Sequence, residues 1–299
     1  MSTPSGGSPL VLLKEGEGPP VVIAHGLAGT VQVSKLATCI NAPNPVYGIE
    51  AKGVDGRGEP LQRVEDMARY YLEALNRSCP DGPYIVIGYS FGGLVALEMA
   101  QRLHDSGKEI LLLIMLDAYP HPQFLRLPTR LSLFVQRMKT HGQQIWHMSF
   151  RAGWTYFGKG VKRRLHLIPR SEPAPVSSSP RERILHKVNE KAYQAYTDYQ
   201  PRFYAGKVSF VTTATKTFFP ANPAAAWKHL TADLEIEVVP GNHLNILTTE
   251  YQPLADVLTR YIQKADSQIS TRKQETRETR MEKARLPGFS PKALNETRA

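Results

Sequence analysis

At 299 residues and 41% hydrophobic content, the chain can form one large α/β domain with an insertion or two smaller domains. It has no run of about 18 apolar residues and no signal-peptide pattern, so we expect a cytoplasmic protein without a membrane span. The only two cysteines lack metal-ligand spacing, and we expect no bound metal or cofactor. The net charge of +10 comes from residues 121–204, which have 15 Lys/Arg against 4 Asp/Glu, and from the basic residues after 264. No nucleic-acid recognition motif accompanies this charge, so an acidic protein partner explains it at least as well as a nucleic acid does.

Strand and helix patterns alternate in the first part of the chain. Short apolar runs predict strands, and apolar positions at helical spacing predict the helices between them. The predicted elements are strand Val21–Ala24, strand Val46–Ile49, helix Val64–Leu75, strand Tyr84–Ile87, helix Leu94–Leu103 and strand Ile110–Leu116. Continuous apolar strands separated by helices are typical of a parallel sheet that is covered on both faces.

The alternation stops at Pro120, where helical patterns begin and continue around a Pro/Ser-rich break. A helical insertion between two strands of a parallel sheet is most simply a lid over an active site. Sheet patterns resume in Val208–Val211 and Leu234–Val239, and a closing helix is predicted at Pro253–Ile262.

These patterns predict one domain over residues 19–264, with the lid insertion at about 121–204. Residues 1–18 form an N-terminal extension in this interpretation. The polar, charged residues 265–299 predict a basic, largely disordered tail, with one exposed helix near 271–284.

A serine lies between the predicted strand Tyr84–Ile87 and the next helix, in the sequence Gly88-Tyr89-Ser90-Phe91-Gly92. At such a turn the serine backbone is strained, and only small neighbours such as Gly88 and Gly92 leave room for it. The hydroxyl projects above the sheet, where the helix N-terminus favours developing negative charge. A G-x-S-x-G match alone is weak evidence, but in this strand–turn–helix context it predicts that Ser90 is a nucleophile.

A serine nucleophile needs a base within hydrogen-bond reach, and nine histidines are available. Most of them lie in predicted helices, in the insertion or among charges, where a solvated side chain is the default. His25 ends a strand at the same edge of the sheet, and we interpret its side chain as structural. His243 follows a strand through Pro240-Gly241-Asn242, and in serine hydrolases with such a turn the base comes last in chain order. We therefore predict His243 as the base.

The acid of the site is found by exclusion. Such hydrolases usually place it after the strand that follows the insertion, but the chain has no Asp or Glu between Ala205 and Ala232. Asp117 directly follows the apolar run Ile110–Leu116, where a carboxylate is costly to bury unless it is paired. The alternative is an aspartate that caps the following turn. Because no other carboxylate competes, Asp117 is predicted to orient the His243 ring.

An oxyanion hole needs two backbone N–H groups that point at one position. One is predicted at Phe91, immediately after the nucleophile. The other is expected from the loop His25-Gly26-Leu27-Ala28-Gly29, either from Leu27 or from Ala28.

Several short motifs are distributed along most of the chain. They are Val46-Tyr47-Gly48-Ile49, Gly53-Val54-Asp55-Gly56, Gly82-Pro83-Tyr84, Gly88-Tyr89-Ser90-Phe91-Gly92-Gly93, Leu116-Asp117, Tyr204-Ala205-Gly206-Lys207-Val208 and Pro240-Gly241-Asn242-His243. Together they closely resemble the type I thioesterase domains of nonribosomal peptide and polyketide synthases, from about residue 19 to 264 and least in the insertion. The resemblance implies an α/β-hydrolase fold in which Ser90, Asp117 and His243 form the catalytic triad.

The resemblance also implies an acyl, peptidyl or polyketide substrate that is carried as a thioester on the phosphopantetheine arm of a carrier protein. Family members usually follow a carrier domain, whereas only residues 1–18 precede the expected domain here. We therefore expect a carrier protein that acts in trans, or an acyl-CoA substrate.

The insertion is rich in aromatic residues and contains a basic cluster, which consists of Lys159, Lys162, Arg163 and Arg164. The aromatic side chains either pack within the lid, which is the simpler explanation, or line an acyl channel. Carrier proteins are acidic and their arm carries a phosphate, so the basic cluster is a candidate docking site. A solvated helix face explains the cluster equally well.

The predicted reaction begins when Ser90, deprotonated by His243, attacks the thioester carbonyl. Water or a nucleophile within the acyl chain then resolves the acyl-serine. A carboxylester hydrolase or lipase-like enzyme on the same fold is the alternative, because the fold alone does not separate these reactions. A non-catalytic binding protein is a further alternative, against which the complete Ser/Asp/His set argues.

Overall fold

The computed structural model describes residues 8–26, 31–80, 82–146, 179–215 and 219–285. The strands are β1 (Leu10–Lys14), β2 (Val21–Ala24), β3 (Val46–Ile49), β4 (Tyr84–Tyr89), β5 (Ile110–Leu116), β6 (Tyr204–Thr215) and β7 (Thr231–Asn242). The helices are α1 (Val31–Cys39), α2 (Val64–Ser78), α3 (Phe91–Asp105), α4 (Leu127–Trp146), α5 (Pro180–Asp198), α6 (Pro223–Trp227) and α7 (Tyr251–Arg285), with a short 3₁₀ helix at Pro122–Phe124.

The strands form one seven-stranded sheet in the order β1-β3-β2-β4-β5-β6-β7. Strand β1 is antiparallel to β3, and all other neighbouring strands are parallel. Helices α2 and α3 pack in an apolar core on one face, and α1 and α7 pack in a second core on the other. The architecture is an α/β-hydrolase fold, as the sequence predicts, and it brings the carboxyl ends of β4, β5 and β7 to one edge.

The C-terminal helix corrects one expectation. Helix α7 continues to Arg285, so residues 265–270 are helical where the sequence predicts disorder, and the exposed helix predicted near 271–284 is part of this same helix. Ala265 is buried, the Asn44 amide donates to Asp266 over 3.3 Å, and Arg272 forms an ion pair with Glu109 at 3.0 Å. These contacts, together with many good helix-forming residues, extend the helix without an apolar stripe that the sequence pattern would reveal. Residues 286–299 lie outside the described part of the chain.

Helices α4 and α5 lie in the chain between β5 and β6, within the predicted lid insertion. Helix α4 buries Leu133 but exposes a row of apolar side chains, which are Leu127, Leu131, Phe134, Val135 and Met138. No helix in the described ranges is long and apolar enough to span a bilayer. The boundaries of the insertion and of the domain remain predictions.

The C-terminal end of α5 is attached to α3 by a buried polar contact. Glu98 of α3 is buried, accepts a hydrogen bond from the Tyr199 hydroxyl over 3.0 Å and pairs with Arg102 at 2.8 Å. Burial and the Glu98 charge raise the pKa of Tyr199, so its hydroxyl stays protonated and donates. At the other end of α5, Ser179 and Glu182 form a capping box on the surface.

Candidate active site

Ser90 occupies the turn between β4 and α3, as the sequence predicts. Its backbone has φ 54° and ψ −123°, a conformation that is strained for a residue with a side chain. Its N–H donates to the Leu116 carbonyl of β5 over 2.9 Å, and Tyr89 is paired with Leu116 in the parallel register. The turn is therefore attached to the neighbouring strand at the residue that precedes Asp117.

The two glycines of the turn are required by close backbone contacts. A Cβ at Gly88 would lie 2.5 Å from the Gly93 Cα and 2.7 Å from the Ala96 Cβ, both in α3. A Cβ at Gly92 would lie 2.7 Å from the carbonyl carbon of Ala24 at the end of β2. These contacting atoms belong to the backbone or are bonded directly to it, so they cannot rotate away. Any side chain at Gly88 or Gly92 would therefore force the strand and the helix apart.

Asp117 and His243 form a hydrogen-bonded pair at the carboxyl edge of the sheet. The Nδ1 of His243 lies 2.9 Å from the Asp117 Oδ2, and the side chains are 13% and 2% exposed. The Thr212 hydroxyl donates to the Asp117 Oδ1 over 3.0 Å, and the Asp117 N–H donates to the Val211 carbonyl over 2.7 Å. The carboxylate is thus buried with partners, as its predicted role requires.

His243 lies in the loop between β7 and α7. The Asn242 side-chain oxygen accepts hydrogen bonds from the Leu244 and Asn245 N–H groups over 2.9 and 3.1 Å. The Asn245 side chain in return accepts from the Asn242 N–H over 2.6 Å. This reciprocal pair of asparagines holds the loop and delivers His243 to the edge where Ser90 lies.

The hydrogen bond between the nucleophile and the base stays a prediction. Among the described residues, the Ser90 hydroxyl forms no hydrogen bond with His243. Catalytic hydrogen bonds are often long in an enzyme without substrate and become shorter when the substrate binds, so this geometry is compatible with the predicted triad.

The described part of the loop that is predicted to supply an oxyanion donor, His25 and Gly26, lies against Ser90. A Cβ at Gly26 would lie 3.3 Å from the Ser90 Cβ, so the loop after β2 passes directly beside it. Phe91 begins α3, where its N–H is available at a helix N-terminus. Leu27 and Ala28, the alternatives for the second donor, lie outside the described residues.

His25 fits the structural role that the sequence predicts for it. Its Nδ1 is hydrogen-bonded to the Gly26 carbonyl, which requires the proton to be on Nδ1. Burial lowers the pKa of the His25 imidazole, so its neutral form is favoured.

Two cavities adjoin the site. The first is lined by residues that include His25, Gly26 and Phe91. The second, of about 160 Å³, lies between helices α4 and α5 and the segments that follow β5 and β6. It is lined mainly by prolines and aromatic rings, among them Tyr193, Tyr196 and Phe219. Within the described ranges, no group of three His, Cys, Asp or Glu side chains is arranged to hold a metal.

The basic cluster, Lys159, Lys162, Arg163 and Arg164, lies outside the described residues, as do most of the aromatic residues of the insertion. Three contacts of the site were not predicted from the sequence. They are the Thr212 hydroxyl on Asp117 and the rings of Tyr89 and Phe219, whose centroids lie 5.1 and 4.7 Å from that of His243. Tyr89 is part of the serine motif, but nothing in the sequence shows that its ring faces His243.

Comparison with known proteins shows which family part of this chain is similar to. Residues 19–147 match the Thioesterase domain family. A dimodular nonribosomal peptide synthase of Bacillus subtilis (strain 168) is 38% identical over 113 residues, which are 38% of this chain and 5% of that protein. Polyketide synthase PksR of the same organism is 36% identical over 110 residues, which are 36% of this chain and 4% of that protein. The alignments thus span only a small part of these relatives.

Solved thioesterase structures share the fold. The NocB thioesterase domain from the Nocardicin cluster superimposes with a TM-score of 0.59 at 24% identity, covering 85% of this chain and 98% of that one. The type II thioesterase BorB from the borrelidin biosynthetic cluster gives a TM-score of 0.58 at 14% identity, covering 85% and 96%. The fold and the resemblance to thioesterase domains of nonribosomal peptide and polyketide synthases are therefore confirmed.

Proposed function

Residues 19–147 match the Thioesterase domain family, and from this premise we propose that the protein is a serine thioesterase. Its substrate is an acyl, peptidyl or polyketide group that is bound as a thioester to a phosphopantetheine arm. The observation that carries the proposal is the buried Asp117–His243 pair, at 2.9 Å, on the strand edge next to the strained Ser90 turn.

The proposed reaction has two steps. His243 takes the proton of the Ser90 hydroxyl, the Ser90 Oγ bonds to the thioester carbon, and the carbon–sulfur bond breaks as the imidazolium gives its proton to the leaving thiol. Water, or a hydroxyl or amine of the acyl chain, then attacks the acyl-serine with His243 again as base, which releases an acid or a cyclic product.

Asp117 has an electrostatic role in both steps. The bond from His243 Nδ1 to Asp117 leaves Nε2 as the nitrogen that exchanges a proton with Ser90. The carboxylate also stabilises the imidazolium that forms in each step. Because Thr212 and the Val211 carbonyl fix Asp117, the acid is held in position before the substrate binds.

The partners in this proposal are a carrier protein, which presents the thioester, or coenzyme A. The similarity to synthases whose thioesters are carrier-bound supports the first, and docking through the basic cluster at Lys159, Lys162, Arg163 and Arg164 stays part of the prediction. The Phe91 N–H and that of Leu27 or Ala28 are the proposed oxyanion donors, and one such donor is typically worth about 2.7–4 kcal/mol in the transition state.

Labelling of the nucleophile tests the proposal. A fluorophosphonate probe is expected to modify the wild-type chain at Ser90, as located by mass spectrometry of the peptides, and to leave Ser90→Ala unmodified. Hydrolysis of acyl-CoA by Ser90→Ala should fall at least about 10³-fold, since only binding and the oxyanion hole remain.

A substrate comparison separates the alternatives. The proposed thioesterase should have a higher kcat/KM for acyl-CoA or an acyl-carrier thioester than for the oxygen ester of the same acyl group. The reverse preference would identify a carboxylester hydrolase. An unlabelled Ser90 in a folded chain would contradict the proposal and favour a binding protein.

A further inference from the structure

We propose that Tyr89 and Phe219 are positioning residues for His243. Their two rings hold the His243 imidazole next to the turn that carries Ser90. The inference rests on the proposed function, because it assigns how the base of that reaction is oriented. It concerns two aromatic side chains, one at the end of β4 and one in the segment after β6, that meet at one histidine.

Tyr89 connects the base to the nucleophile. Its ring stacks on the His243 imidazole with centroids 5.1 Å apart and planes inclined by 22°, and its hydroxyl donates to the His243 backbone carbonyl. Burial and the charge of Asp117 raise the pKa of Tyr89, so the hydroxyl remains protonated and able to donate. Tyr89 is the last residue of β4 and directly precedes Ser90. The position of the base is therefore tied to the strand that carries the nucleophile.

Phe219 provides a second ring. Its centroid lies 4.7 Å from that of His243, with planes inclined by 62°, and it stacks on Tyr119 at 4.9 Å and 11°. The Phe219 carbonyl accepts a hydrogen bond from the Gln136 amide of α4 over 3.2 Å. The ring that contacts the base is thus supported by Tyr119, whose ring also packs against Phe210 of β6, and by a helix of the insertion.

The two rings supply a restraint that the hydrogen bond between Asp117 and His243 lacks. One hydrogen bond from Nδ1 to Asp117 fixes a point on the imidazole but permits the ring to turn about that bond, which would carry Nε2 away from Ser90. Ring contacts oppose this rotation, and an aromatic pair of this kind corresponds to about two- to tenfold in an equilibrium. Small errors in position are costly in catalysis, since a displacement of about 1 Å can reduce a rate about 10²-fold.

Replacing the second ring tests the inference. Phe219→Leu keeps an apolar side chain but removes the ring, and we expect kcat for acyl-CoA to fall between about ten- and hundredfold with little change in KM. The rate of fluorophosphonate labelling at Ser90 should fall by a similar factor, because labelling needs the base but no acyl recognition. Phe219→Tyr, which keeps the ring, should restore both rates to within about threefold of the wild type.

Tyr193→Leu is the matched control. Tyr193 lines the same cavity as Phe219 but has no ring contact with His243 among the described residues, so its loss should change KM alone. If Phe219→Leu behaves like Tyr193→Leu, with an unchanged labelling rate, Phe219 only lines the cavity and the inference fails for it.

A second variant tests the other ring. Tyr89→Phe keeps the stacked ring and removes the bond to the His243 carbonyl, which should lower the labelling rate about two- to fivefold. Folding of each variant is checked by thermal unfolding, and a labelling rate equal to that of the wild type in both folded variants would overturn the inference. A wild-type chain that does not label at Ser90 would instead overturn the proposed function, and this inference with it.

Discussion

Two regions of the molecule differ in how their side chains are buried. They are the carboxyl edge of β4 and β5, and helix α4. At the strand edge, apolar residues are buried and the polar side chain of Asp117 is held by partners. On α4, five large apolar side chains remain exposed, although Leu133 on the same helix is buried.

This difference separates a region whose atoms are fixed by their contacts from one whose large side chains remain exposed. The strand edge has glycines where any side chain would collide, a strained serine and a buried acid, all of which fix atoms in advance. Helix α4 buries Leu133 in the core and has large apolar side chains that are more than 40% exposed. We therefore expect substitutions at the strand edge to lower turnover. For substitutions on α4, we expect the change in the free energy of unfolding to depend strongly on how buried the side chain is.

The largest effect that sharpens this comparison is expected from Asp117→Asn. The amide cannot stabilise an imidazolium and favours the wrong histidine tautomer, so kcat should fall about 10³- to 10⁴-fold, while the fold is kept. Acyl-CoA hydrolysis measures the loss, and Asp256→Asn, at an exposed position on α7, is the control with unchanged rate. A loss below tenfold would show that Asp117 is a structural cap and not the acid.

A smaller effect is expected within α4 itself. Leu133 is 3% exposed and Leu131 is 65% exposed, and the two lie two residues apart. Leu133→Ala should reduce the free energy of unfolding by about 2–4 kcal/mol, because it opens a cavity in the core. Leu131→Ala should change it by less than about 0.5 kcal/mol. Urea unfolding of both variants checks this, and equal losses would mean that the outer side of α4 is covered in solution.

The smallest effect concerns pH and the strand end at His25. Burial lowers the pKa of His25 in the folded state below its unfolded value of about 6.5, so the unfolded chain binds more protons at acid pH. The stability from the neutral imidazole is fully present above about pH 6.5 and is lost as the pH falls from there towards the folded-state pKa. Urea unfolding at pH 7.5 and 5.5 should show a smaller decrease for His25→Gln than for the wild type; an equal decrease would assign it to other groups.

The sequence predicted the centre of the fold because its strands are buried on both faces. Strands β2, β4 and β5 appear as uninterrupted apolar runs, and the regular alternation with helices follows from the connections of a parallel sheet. Strand β1 was not predicted, since it pairs only with β3 at the edge and its residues are mostly half-buried or exposed. The continuity of α7 was not predicted either. The sequence predicts a closing helix at Pro253–Ile262 and a separate exposed helix near 271–284, and the residues between them are helix-forming but have no apolar periodicity.

In the candidate site, too, some features could be predicted from the sequence and others could not. Ser90, Asp117 and His243 could be predicted because each follows a recognisable strand, and a parallel sheet collects its strand ends at one edge. The contacts of Tyr89 and Phe219 with His243 could not be predicted. They depend on how side chains from β4, the segment after β6 and the segment after β7 are packed together, and no spacing along the chain records that arrangement.

The bond between Tyr199 and Glu98 fixes the C-terminal end of α5 to α3. Displacing the C-terminal end of this helix would leave a carboxylate inside an apolar core with Arg102 as its remaining partner among the described contacts, which is an expensive state. The N-terminal end, with its capping box at Ser179, lies on the surface and carries no such cost. We therefore expect that displacing α5 costs more free energy at its C-terminal end, which is attached to α3, than at its N-terminal end.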